Sequence, residues 1–191
     1  LFINEHLKSS GDEKFDKKRF YLFKALFRNF GCTEIIHSLF EHLETLITDK
    51  DTNTHECSHK LAAEMMSALI RGSKSWPLER LKPLWQRLKP LLDKLIDNIS
   101  TDNVKLWYNC FSNSFEDQDP RRLVFYINFF TQLTLRMFSS STSATLSSSP
   151  STDVQQQQQQ QQISSIQQAS CLQFISAFNQ FEWKVPKFWN S

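Results

Sequence analysis

Glycine is nearly missing from this sequence, with 3 in 191 residues, and proline is scarce at 6. An all-β chain needs turn residues every ~8–12 positions, so this shortage argues for helices. It also leaves nothing from which to build a phosphate loop or a nucleophile elbow. No G-x-x-x-x-G-K-[ST], G-x-G-x-x-G or G-x-S-x-G pattern occurs, so nucleotide-dependent and serine-hydrolase mechanisms are not expected. A one-sided charge is absent too: 22 basic side chains face 20 acidic ones, for a net +2. Direct nucleic-acid binding would call for a strong basic excess. Apolar runs are short, as at Leu123–Ile127, far below the roughly 20 residues of a membrane span, so no membrane partner is expected. Leu1–Ile3 gives way at once to polar residues, and no secretory leader is expected. The four cysteines, Cys32, Cys57, Cys110 and Cys171, form no C-x-x-C pair. They read as reduced packing residues of an intracellular protein.

What the sequence has in abundance is aromatic and aliphatic bulk: 17 Phe, 5 Trp and 40% apolar residues overall. These recur with helical spacing. Phe23, Leu26, Phe27 and Phe30 form one helix face. Ile36–Leu43, Ala62–Leu69, Leu81–Leu95, Val104–Phe115, Leu123–Leu133 and Cys171–Phe178 carry the same pattern. Gly31 and Gly72 stand where helices should stop, and Thr33, Thr101 or Asp102, and Asp119-Pro120 where they should start. Pro83 and Pro90 lie within the fourth segment and should disturb it.

Paired as hairpins, the segments begin near Lys14, Glu56 and Asp102, in steps of 42 and 46 residues. That stride lies within the ≈40–47 residues of HEAT and armadillo repeats. Each hairpin has an apolar face it cannot bury alone, so neighbours must stack. The expected fold is therefore an all-α solenoid of HEAT/armadillo-like antiparallel hairpins. Four regions are expected: an irregular segment at 1–13, helical repeats at 14–138, a Ser/Thr/Gln-rich disordered insertion at 139–167, and the start of a further repeat at 168–191. The insertion contains the unbroken run Gln155–Gln162 and too few apolar side chains to offset its chain entropy. Beginning at Leu1 and stopping soon after Pro186, the chain reads as an internal piece of something longer.

Two groups of residues invite a functional reading. His55-Glu56-Cys57-Ser58-His59 matches H-E-x-x-H, in which two histidines one turn apart hold zinc and the glutamate activates water. The motif stands in a first helical turn with Lys60 beside it, and the joint Gly72–Pro77 separates it from Glu79, the candidate third ligand. Two surface histidines and a glutamate suited to the helix dipole are the preferred account, so neither a metal nor a catalytic residue is assigned. Arg71, Lys74, Arg121 and Arg122 are candidates for an anion or partner surface, because guanidinium groups suit phosphate and carboxylate.

Five stretches resemble a known family in order and spacing: LFRNFG at 26–31, AEMMSALIRGSKSW at 63–76, LWQRLKPLL at 84–92, DPRRL at 119–123 and FEWKVP at 181–186. The family is that of proteasome activator complex subunit 4, the large HEAT-repeat proteasome activators. LIRGSKSW is the most specific block, since helix periodicity does not dictate it. The resemblance implies a non-enzymatic solenoid that caps the α ring of the 20S proteasome core particle. It further implies ATP- and ubiquitin-independent gate opening, a place in nucleus and cytoplasm, and links to acetylated histones and DNA repair. Inositol polyphosphate binding is implied as well, with no resident cofactor and no residue assigned. The family's gate-opening tail has a penultimate tyrosine, which Trp189-Asn190-Ser191 does not match. Without the resemblance, the periodicity suits equally a HEAT scaffold for nuclear transport or complex assembly.

Overall fold

A computed structural model of the chain describes residues 15–30, 35–51, 55–116, 118–144 and 154–179. Seven α-helices and one 3-10 turn make up the described residues: α1 (Lys17–Phe30), α2 (Ile35–Ile47), α3 (His55–Gly72), the 3-10 turn Ser73–Ser75, α4 (Leu78–Asp97), α5 (Thr101–Phe115), α6 (Pro120–Ala144) and α7 (Val154–Asn179). None is long and apolar enough to cross a membrane.

The helices stand in two layers. In one, α1 packs against α3, α3 against α5 and α5 against α7; in the other, α2 lies beside α4 and α4 beside α6. Every second helix is thus a spatial neighbour, as in a row of stacked hairpins. The apolar stripes meet between the layers in one continuous core, running from Phe20 and Phe27 to Phe174 and Ala177. At the α7 end Phe111, Phe130 and Phe174 form a triangle with centroids 4.9–5.7 Å apart. Each such ring removes enough apolar area from water to contribute about 1.5–3 kcal/mol.

Local chemistry explains the starts of α5 and α6. Asp119 Oδ1 accepts the Arg121 amide at 3.0 Å, capping α6 as expected. The cap of α5 falls one residue before the expected Thr101: Ser100 is the N-cap, and its amide donates to Asn103 Oδ1 at 3.0 Å. Pro83 and Pro90 do not interrupt α4, which runs unbroken through both. Both prolines, and the Glu79 and Gln86 whose carbonyls lose a donor, lie on its solvent side, where water can replace the missing bond. Cys110 and Cys171 are buried, whereas Cys57 is exposed, contrary to the packing role expected of it.

One boundary differs from expectation. Residues 139–144 complete α6, and α7 begins at Val154, so Gln155–Gln162 is helical instead of disordered. Glutamine is a good helix former, and once Cys171, Phe174 and Ala177 are packed, extending the helix towards its start adds hydrogen bonds without a new nucleus. Gly31, Cys32, Thr33, residues 1–14 and the block FEWKVP lie outside the described residues.

Candidate functional site: the polar seam between repeats

Side chains at or beside the later joints reach back to the preceding repeat at a nearly constant sequence separation. Trp76 Nε1 donates to the Phe27 carbonyl at 3.1 Å, 49 residues away. Gln118 Nε2 donates to the Ile70 carbonyl at 2.9 Å, 48 residues away. Arg122 Nη1 donates to the Trp76 carbonyl at 2.8 Å, 46 residues away. A buried donor or carbonyl left without any partner costs about 1–3 kcal/mol, so such bonds help hold the joints in place.

The same joints account for the block LIRGSKSW. Gly72 lies so close to α1 that an added Cβ would come within 3.0 Å of Phe27 Cβ and 3.1 Å of the Lys24 carbonyl. Any larger residue would push the helices apart. Ser73 Oγ donates to the Ile70 carbonyl at 2.8 Å, closing the turn, and Trp76 then anchors it on α1. Arg71 is buried, with Nη2 3.6 Å from Glu116 Oε2 at the end of α5.

Glu64 and His59 are buried polar groups of α3 with partners on neighbouring helices. The Glu64 carboxylate is fully enclosed; it accepts Arg19 Nε at 2.7 Å, Arg19 Nη2 at 3.2 Å and the Asp16 amide at 2.7 Å. Burial pushes its pKa up, against the pull of Arg19. On the other side of α3, His59 is fully buried against α5. Its Nδ1 accepts the Trp107 indole N–H at 3.1 Å and lies 3.3 Å from Asn103 Nδ2. An indole can only donate, so neutral His59 carries its proton on Nε2. Burial and the nearby His55 lower its pKa to about 4, partly opposed by Asp49.

The H-E-x-x-H residues are therefore placed as follows. His55 is half-buried with its ring 4.3 Å from that of His59, Glu56 is exposed, and His59 belongs to the α3–α5 core. Among the described residues no group of three or more His, Cys, Asp or Glu is arranged to hold a metal ion. Instead of the surface position expected, His59 has a packing role, which no local signal in the sequence distinguishes.

The four candidate basic residues are not brought together. Arg121 is exposed and forms a salt bridge with Asp119, with Nη2 2.6 Å from Oδ2. Arg122 is committed to the Trp76 carbonyl, and Arg71 to Glu116. Lys74 is exposed. Two residues not singled out in the sequence, Lys24 and Arg28 of α1, join Arg71 and Lys74. Burial first, then the charges of Arg71, Arg28 and Lys74, hold the Lys24 ammonium below its usual value, while Glu116 opposes them. They lie 43–50 positions apart in sequence, and only the stacking of α1 on α3 unites them.

A row of stacked two-helix units with polar groups at a fixed stride defines an α-solenoid scaffold of the HEAT class. Residues 2–146 match the family described as "Proteasome activator complex subunit 4-like, HEAT repeat-like", and the chain belongs to that family. Among curated relatives, proteasome activator complex subunit 4 from Bos taurus and from Homo sapiens are each 41% identical over 113 residues, 59% of this chain and 6% of theirs. Subunit 4A from Danio rerio is 38% identical over 129 residues, 64% of this chain and 7% of its own length. The chain thus spans only a small part of the relatives it matches. No solved structure matches it.

Proposed function

We propose that this chain is a wall segment of a non-enzymatic scaffold that caps the α ring of the proteasome core particle. In this reading the full-length protein promotes gate opening and protein degradation without ATP or ubiquitin, in nucleus and cytoplasm. The observation that carries it is the family match over residues 2–146, which contains the repeats joined by the polar seam. The segment would supply shape and rigidity: buried, directional bonds fix how each hairpin sits on the last, and such bonds resist sliding more than apolar contact alone. Acetylated histones belong to the same proposal as a partner of the full-length protein. Inositol polyphosphates do too, with no residue of this chain assigned to them.

The test is association of the full-length protein with purified core particles. The expected result is co-purification and faster peptide hydrolysis without ATP. Absence of any association would end the proposal.

A further inference from the structure

Asn103 serves two helices at once. Its Oδ1 accepts the Ser100 amide at 3.0 Å and so closes the first turn of α5, while its Nδ2 lies 3.3 Å from His59 Nδ1 on α3. Trp107, one turn further along α5, donates its indole N–H to the same nitrogen at 3.1 Å. Two donors of α5 thus converge on His59 Nδ1, and all three residues are buried. Their geometry requires a lone pair on Nδ1, so it exists only while the imidazole is neutral. The other ring nitrogen offers no relief: among the described residues His59 Nε2 has no hydrogen-bond partner.

A second proton on His59 would set N–H groups of His59, Asn103 and Trp107 against one another with no acceptor among them. Turning the Asn103 amide over would offer His59 an oxygen, but would point an NH2 group at the Ser100 amide and undo the cap. Neighbouring charges do little to help. His55 of the same helix, its ring 4.3 Å away, opposes the proton; Asp49 favours it, with Oδ2 already accepting Ser58 Oγ at 2.5 Å. Lys60, next along α3, is buried, and Asp102 and Lys105 of α5 are exposed. α1 directs Arg19 to Glu64, on the other side of α3. Burial, with His55, lowers the His59 pKa to about 4, so the joint is closed at neutral pH. We propose that His59, Asn103 and Trp107 form an acid-sensitive latch: a proton on His59 releases α5 from α3 and uncaps the start of α5. One repeat is then free to move against the next. The α1–α3 joint does not follow, because the raised pKa of Glu64 favours the fold as pH falls.

The test is NMR on the full 191-residue chain, following the His59 ring and the backbone amides as the pH is lowered from neutral to below the His59 pKa. As His59 gains its proton, hydrogen-exchange protection of the Ser100 and Val104 amides should fall about ten-fold or more, while that of α1 stays unchanged. Asn103→Asp should reverse the response. A carboxylate accepts the Ser100 amide and the His59 proton together, so the His59 pKa should rise by about one unit or more and the first turn of α5 should keep its protection in acid. His59→Gln, whose amide oxygen accepts both donors without titrating, should keep it as well. Circular dichroism checks the fold of each variant; should Asn103→Asp fail to fold, His59→Gln and the wild-type chain carry the test. Ser100 and Val104 amides that respond no more than those of α1 would overturn the proposal. So would a His59 pKa left unmoved by Asn103→Asp.

Discussion

The joints α1–α3 and α3–α5 differ in kind from the joint α5–α7. The first two bury directional polar groups: Glu64 with Arg19, His59 with Trp107, and the Trp76 and Gln118 donors on backbone carbonyls. At the α7 end the three-ring triangle and the Cys171–Met137 sulfur contact at 3.9 Å fill the interior, while the Gln167 and Gln168 amides act at the margin. Apolar contact stabilises a joint without fixing its register, since rings can repack at modest loss. A buried hydrogen bond or ion pair tolerates little displacement, because a stranded charge or donor is far more unfavourable than an imperfect van der Waals contact. The family match ends at residue 146, before α7 begins. The polar joints lie inside it and the aromatic joint reaches beyond it.

The largest effect should come from the aromatic end. Phe174→Ala removes one corner of the triangle and should lower stability by about 3–5 kcal/mol in urea unfolding. Hydrogen exchange in α1 and α3 should change little if the joints are independent; equal acceleration there would erase the distinction. Next comes Arg19→Met, which leaves the enclosed Glu64 carboxylate without its guanidinium. It should lose about 3 kcal/mol, and adding Glu64→Gln should recover part of that. No recovery would show that Arg19 acts by packing alone.

The smallest effect is a pH dependence at His59. Its folded pKa of about 4 lies below the ordinary 6.5, so the unfolded chain binds more protons between those values. Its contribution is complete above pH 6.5 and is lost as pH falls towards 4, by about 1–3 kcal/mol. Glu64 acts in the opposite sense: its raised pKa means that the folded chain holds the proton more tightly, favouring the fold as pH falls. Comparing melting temperatures of wild type and His59→Gln across this range isolates the histidine. Parallel curves would rule out its titration.

Much of the architecture was legible. Phe27, Leu43, Met66, Leu88, Phe111 and Phe130 all lie on predicted helix faces and all are buried, because helical spacing and burial are two readings of one face. The Gln-rich stretch misled because composition reports the chain entropy to be overcome and says nothing of a packed helix end from which order can spread. Arg71, Arg121 and Arg122 were candidates for an anion or partner surface in the sequence, yet each is engaged by a different group.

By itself the sequence determined which residues coil into helices, where most helices begin, and the stride at which they recur, because those depend on neighbours three or four positions away. Only the tertiary structure decided that His59 and Glu64 are interior while Glu56 is not, and that Lys24 joins Arg71. Those outcomes rest on partners more than forty positions distant, whose effect on burial and charge appears only once the repeats are stacked.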